Sequence, residues 1–273
     1  MQKLIAILQI KSFNYADFLM WLKWYNDFIK CDDIYVCDDE SSYDLKKLIN
    51  FVNPNIHFIK MSSLDISNEN KSFNKQQKNV NAILKIAKPE KDDIIILPDN
   101  DEFWWYDETK FSSFKDCVND YRKKLGNVDA IYVPWTLMRS KEPMIHREKT
   151  QNYAECFKYR CNVSGCEHKS IMFYKGPIEI SFHCGYVNGK TITAPTNLYY
   201  HSKCVYDLPL RCYHFRFTTV EEFAFKRSCE ISVKDKPRPY LKNDFLHQVF
   251  NGEDQNDKYE IEDLTVFNTY NKL

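Results

Sequence analysis

Glycine is scarce in this chain of 273 residues: there are 6, and the first is Gly126. No glycine-rich phosphate loop can form ahead of that point, which removes the Walker and dinucleotide fingerprints from the N-terminal half. A nucleotide bound there has to be held by side chains or by a metal. Excess charge is also missing. The 38 basic and 38 acidic residues cancel, whereas a protein that coats nucleic acid usually carries a strong basic surplus; no nucleic-acid partner is expected. No apolar run approaches the roughly 18 residues of a membrane-spanning helix, so no such helix is expected, and peripheral membrane contact stays open. The opening "MQKLIAILQIKSF" is brief and is followed by no small-residue cleavage site, so it reads as a strand, not a signal segment. A cytoplasmic location is the expectation. CxxC pairs are absent among the 10 cysteines, and Cys156, Cys161 and Cys166, with His168 after them, fit no common zinc spacing. Ordinary reduced cysteines are expected.

What the chain does have is apolar and aromatic material: 44% hydrophobic residues, with 18 Tyr, 19 Phe and 5 Trp, enough for a substantial core. The N-terminal half alternates between two patterns. "KLIAILQI" (Lys3–Ile10), "DIYVCD" (Asp33–Asp38), "IHFIKM" (Ile56–Met61), "DIIILPD" and "DAIYVPW" (Asp129–Trp135) read as buried strands. Between them, "YADFLMWLKWYNDFI", "YDLKKLINFV" (Tyr43–Val52), "FNKQQKNVNAILKIA" (Phe73–Ala87) and "FKDCVNDYRKKL" (Phe114–Leu125) carry helical spacing. Alternation with short links predicts an α/β fold, a mostly parallel doubly wound sheet that binds ligands at the carboxyl ends of its strands. From Met138 the pattern breaks into loops and short elements. "HKSIMFY", "LYYHSK" and "RCYHFRF" are strand-like there, and "TTVEEFAFKRSCEI" (Thr218–Ile231) is a helix capped by Thr218 or Thr219. The expected divisions are 1–137, a nucleotide-binding half; 138–235, an acceptor-side half of the same domain; and 236–273, an extension that begins at "KPRP" (Lys236–Pro239).

The chemistry concentrates in "IIILPDNDEFWW" (Ile94–Trp105), where a buried strand runs straight into three carboxylates. Like charges this close need a compensating cation or hydrogen-bond donors. In an extended backbone Asp99 and Asp101 point to the same side and converge on one divalent cation. Oxygen ligands select Mg²⁺ or Mn²⁺, which offsets their repulsion and neutralises a diphosphate leaving group. The plain alternative is a solvated turn, since Asp-Asn is good turn chemistry. Trp104, Trp105 and Trp135 are candidate sugar-stacking platforms, although tryptophans more often belong to the core.

"ILPDNDEF" resembles the DxDEF motif of GT-A glycosyltransferases, especially those near family 92 (DUF23-like) and the family-2-type enzymes. Three further segments resemble that group in the same order: "YVCDDESSYD" (Tyr35–Asp44), "HKSIMF" (His168–Phe173) with His183 downstream, and "CYHFRFTTVEEFAFK" (Cys212–Lys226). The Asn-Glu pair that the family often carries after its first strand is not matched around Asn14. The resemblance implies a GT-A fold with an irregular C-terminal acceptor-side segment. It implies a hexosyltransferase that moves a sugar from a nucleotide-sugar donor, a UDP-sugar, to a glycan, glycoconjugate or other hydroxyl acceptor, with inversion. Asp38 and Asp39 would lie near the nucleoside, their alternative being to cap the following helix. Asp99 would face ribose or metal, and Asp101 would be the main ligand of Mn²⁺ or Mg²⁺. His214, or alternatively His183, would complete the metal shell, and Lys169, Arg216 and Lys226 would contact the diphosphate. An inverting transfer needs a base to deprotonate the acceptor; Glu142, Glu155 and Glu167 are the candidates. Two competing readings stand beside this one: a Mg²⁺-dependent nucleotidyltransferase, and a non-catalytic carbohydrate-binding relative that uses the aromatics alone.

Overall fold

The computed structural model describes residues 1–11, 14–64, 75–141, 144, 146–160, 168–181, 184–187, 208–215, 219, 221–222 and 261–273. β1 (Leu4–Ile10) is buried along almost its whole length, as a strand covered on both faces must be. α1 (Tyr15–Lys23) starts at Asn14, whose side chain accepts the Ala16 N–H at 2.9 Å, and runs on into a π-helical turn, Trp24–Phe28. β2 (Asp33–Asp38) leads to α2 (Leu45–Val52), β3 (His57–Lys60), α3 (Lys75–Ala87) and β4 (Ile94–Ile96). After these come β5 (Glu102–Tyr106), α4 (Phe114–Lys124), the long β6 (Ala130–Arg139), α5 (Tyr153–Cys156), β7 (Tyr159–Arg160) and β8 (His168–Phe173). β9 (Ile178–Ser181) and β10 (Cys184–Val187) form a separate hairpin; β11 (Leu210–His214), β12 (Ile261–Glu262) and α6 (Thr265–Tyr270) complete the described chain.

The central strands lie in the order β3-β2-β1-β4-β8-β6. β3, β2, β1 and β4 are parallel, and β8 is antiparallel to both β4 and β6. All but β8 therefore run the same way, so the expected mostly parallel sheet is present. β6 continues unbroken through residue 137, where it pairs with β11 (parallel) and then with β7. β5 pairs antiparallel with the far side of β11. The chain after β1 steps to β2 and β3 on one side, and β4 lies on the other. Connections leave β1 and β4 in opposite directions, the kind of switch point at which open α/β sheets bind ligands beyond the strand ends.

Strand alternation divides the core between the two faces. Ile5, Ile7 and Ile95 pack with Val80, Ile83 and Leu84 of α3. Leu4, Ala6 and Leu8 face the larger cluster with Phe18, Trp21 and Leu22 of α1, Phe103, Trp104 and Phe215.

Several elements differ from expectation. "EFWWY" is a strand, β5, which carries Trp104 fully into the core; Trp135 is also buried, so neither presents a face to a sugar. Trp105 is half-buried, with the Arg211 guanidinium 5.0 Å above its ring. α2 is capped by Asp44, not by Asp38 or Asp39: the Lys47 N–H reaches the Asp44 carboxylate at 3.3 Å. Thr219 takes the cap position at the start of the expected helix, of which residues 221 and 222 are described. The Glu222 N–H donates to its hydroxyl and the Thr219 N–H donates back to the Glu222 carboxylate, each at 3.2 Å. The C-terminal segment returns to the body of the protein, where Asp263 pairs with Arg160 at 3.2 Å and Val266 of α6 is buried. "LYYHSK" and "KPRP" lie outside the described residues. No helix among the described residues is long and apolar enough to cross a membrane. Cys31, Cys117, Cys156 and Cys212 take part in no disulfide.

Candidate functional site

The acidic stretch sits just past the end of β4, on the switch-point side of the sheet. The backbone there is not extended. The Glu102 N–H donates to the Asp99 carbonyl at 3.0 Å, and the Asp99 N–H donates to the Glu102 carboxylate at 2.9 Å, so residues 99–102 close a tight turn. The turn replaces the extended backbone expected there, and Asp99 and Asp101 engage different neighbours within it. It is not the solvated turn of the plain alternative either, because Asp101 and Glu102 are buried.

Asp99 points toward β8. The Lys169 ammonium donates to its Oδ2 at 2.8 Å and makes a second contact of 2.8 Å with Glu102 Oε2. Lys169 arrives there because β8 runs antiparallel beside β4, which places its first residues at the carboxyl end of β4. Expected at a diphosphate, Lys169 is instead 3% exposed and engaged by two carboxylates. Burial opposes its charge, but Asp99 and then Glu102 more than compensate, and its pKa is raised. Burial pushes the Glu102 carboxyl up to about 8; Lys169 opposes this, while Asp99 and Asp101 add repulsion. Glu102 Oε1 has no hydrogen-bond partner among the described residues.

Asp101 points toward β11. Its Oδ1 lies 3.6 Å from His214 Nε2, and its carbonyl accepts the Phe215 N–H at 2.8 Å. The His214 ring rests against Trp135 at 4.2 Å, and in the ladder His214 stands opposite Glu102. Cys212 shares this face: burial, then the charge of Glu102, hold its thiol well above the usual range. The turn, β8 and β11 thus bring Asp99, Asp101, Glu102, Lys169 and His214 together. Asp38 lies across β1, at the end of β2, where it accepts the Ser41 N–H at 3.0 Å; the Asp39 N–H ties back to Ile10 at 2.7 Å. A cavity of about 630 Å³ opens beside it, lined by Asp38, Tyr43, Lys46, Phe58 and Lys60 among others.

Glu155, a candidate base, closes the capping box of α5: its carboxylate accepts the Asn152 N–H at 2.9 Å. Glu142, Glu167, His183, Arg216 and Lys226 lie outside the described residues.

Two partners went unread in the sequence. Glu102 is the buried anchor of Lys169; its place directly after the aspartates was the signal. Arg147 is the other. It forms a two-toothed pair with Asp17 of α1 and donates to Glu222 at 2.6 Å, all three being buried. Burial pushes the Asp17 carboxyl up to about 7, with Arg147 opposing. No local spacing announces this contact across the fold.

Among the described residues, no three His, Cys, Asp or Glu side chains already form a ligand set. The donor types nevertheless suit a hard divalent cation, with carboxylate oxygens and one imidazole. Asp99 and Glu102 share the Lys169 ammonium, and Glu102 Oε1 has no hydrogen-bond partner among the described residues.

No family model and no curated protein matches the chain. Solved structures do. A 4-diphosphocytidyl-2C-methyl-D-erythritol synthase aligns with a TM-score of 0.34 and 11% identity, over 63% of this chain and 76% of that one. Glucosyl-3-phosphoglycerate synthase from Mycobacterium tuberculosis, in complex with Mn²⁺, UDP and glucosyl-3-phosphoglycerate, aligns with a TM-score of 0.30 and 11% identity, over 50% of this chain and 44% of that one. Likeness at this level does not bear on the chemistry.

Proposed function

We propose that the protein is a metal-dependent glycosyltransferase of the GT-A type, which moves a sugar from a nucleotide-sugar donor, a UDP-sugar, to a hydroxyl acceptor with inversion. One observation carries the reading. Asp99, Asp101, Lys169 and His214 come from the end of β4, the start of β8 and the end of β11, and they meet beside the crevice where an open parallel sheet binds its ligands. Asp99, Asp101 and His214 would hold Mn²⁺ or Mg²⁺, which neutralises charge on the departing diphosphate. Asp38 and Asp39, across β1, would face the nucleoside. Arg216, two residues beyond His214, and Lys226 would reach the diphosphate; Arg suits it because its planar fork can bind phosphate in two places. Lys169 serves the carboxylates instead. With the Glu155 carboxylate in a capping box, Glu142 and Glu167 are the candidate bases.

A thermal-shift screen of nucleotide sugars with and without Mn²⁺ tests the reading, followed by product analysis. The expected result is stabilisation by a UDP-sugar only when metal is present, with slow release of free sugar and UDP. Release of pyrophosphate from a nucleoside triphosphate would instead make it a nucleotidyltransferase. Binding of glycans without any nucleotide-sugar response would make it a carbohydrate-binding protein.

A further inference from the structure

We propose that Arg147 is a positioning residue of the nucleotide-sugar site: its guanidinium fixes how the segments that follow β1, β6 and β11 stand relative to one another. The inference rests on the transferase reading above and names what holds that site in shape. β1 and β6 both run with β4, and β11 runs with β6. The segments that leave these strands therefore gather at the switch-point end of the sheet. Asp17 lies after β1, Arg147 after β6 and Glu222 after β11.

Arg147 reaches all three segments. Nη1 donates to Asp17 Oδ1 at 2.8 Å, Nη2 donates to Asp17 Oδ2, and Nε donates to Glu222 Oε1 at 2.6 Å. Nη1 also donates to the Gln151 carbonyl at 3.0 Å, and the Asn14 side chain donates to the same carbonyl at 3.5 Å. The Tyr43 hydroxyl donates to the Asn14 carbonyl at 2.9 Å, which extends the network to the segment after β2. Stacking carries it further. The guanidinium lies 4.6 Å from the centre of the Tyr153 ring, and that ring stacks on Phe215 at 5.1 Å. The Phe215 N–H in turn holds the Asp101 carbonyl, so the acidic turn is tied to the same hub.

The Arg147 side chain is 1% exposed, so it acts through its neighbours and not by touching a ligand. Stability alone does not call for such a group, because packed apolar residues often replace a buried ionic set without loss. What they lack is direction. A guanidinium is a rigid fork of N–H donors, and it holds acceptors from separate segments at set angles. A site whose walls are held before the ligand arrives loses less in ordering them.

The test separates position from stability. The triple variant Asp17→Asn, Arg147→Met, Glu222→Gln removes every charge of the set, so no buried ion is left unpaired, and glutamine can still serve the Thr219 cap. Arg147→Lys is the second variant; it keeps the charge and loses the fork, and it carries the same comparison if the triple variant does not fold. The full-length proteins are compared by urea unfolding, by amide hydrogen exchange and by titration with UDP in the presence of Mn²⁺. The triple variant should unfold close to the wild-type midpoint. In both variants the Ala16, Phe215 and Glu222 amides should exchange about tenfold or more faster relative to those of β1 and β2, which report global opening. The UDP dissociation constant should rise about tenfold or more, the scale of lost charge-assisted bonds. An unchanged UDP constant in a folded variant overturns the positioning role. If the wild type itself does not bind UDP, the transferase reading falls instead; exchange at the three amides needs no ligand and then decides whether Arg147 holds the segments together.

Discussion

Asp101 and Glu102 are neighbours with different tasks, and substitutions should separate them. Asp101→Asn removes one metal oxygen. Loss of a bound cation takes several kcal/mol of transition-state stabilisation with it, so Mn²⁺-dependent turnover should fall roughly a hundredfold or more. The melting temperature should hold or rise, because repulsion within the cluster is relieved. Wild-type turnover in this variant would remove Asp101 from the ligand set. Glu102 and Asp17 govern the response to pH. Burial raises the Glu102 carboxyl from 4.5 to about 8 and the Asp17 carboxyl from 3.8 to about 7. Each binds its proton more tightly folded than unfolded, so the stability it contributes is complete below the unfolded value and is lost as pH rises through the folded one. The melting temperature should therefore drop by several degrees between about pH 5 and about pH 9. Glu102→Gln should flatten part of that slope; the same slope in the variant would show that Glu102 does not titrate in this range.

At the level of elements, the Arg147 contacts join segments far apart in sequence: α1 through Asp17, and the helix start at Glu222. The guanidinium also lies 4.6 Å above the Tyr153 ring of α5. Arg147→Met leaves two buried carboxylates without their cation, a loss of about 3–5 kcal/mol. Urea unfolding should show a lower midpoint with an unchanged slope. A change below about 1 kcal/mol would mean that these carboxylates find other partners. This contact was not legible in the sequence, because a lone arginine in a polar stretch looks the same whether it is solvated or buried. β5 was missed for a related reason. Its carboxylate and tryptophans drew attention to ligand chemistry, yet "EFWWY" is rich in strand-forming aromatics, and it finds its partner only in β11, more than a hundred residues away.

For the molecule as a whole, Cys31, Cys117, Cys156 and Cys212 take part in no disulfide, and the acidic cluster holds Lys169 as a counter-ion. Neither a reductant nor a chelator should therefore move the melting temperature of the nucleotide-free protein by more than about 2 °C. A large loss on chelation, with zinc found by elemental analysis, would instead point to a structural metal site at the Cys156–His168 segment.

The sequence by itself determined the central sheet. Runs such as "LIAILQI" and "DIYVCD" are too apolar to face water on either side, and their alternation with helical spacing leaves little choice but parallel strands covered on both faces. It also placed the acidic stretch at the end of β4 and Thr218 or Thr219 at a helix start, because these follow from nearest neighbours in the chain. Only the tertiary structure decided which groups compensate those acids. Lys169 reaches Asp99 through the antiparallel pairing of β8 with β4, and His214 reaches Asp101 through the pairing of β11 with β5. Pairing between strands distant in sequence depends on how the whole sheet closes, and electrostatic compensation depends on that pairing; neither is written in local spacing.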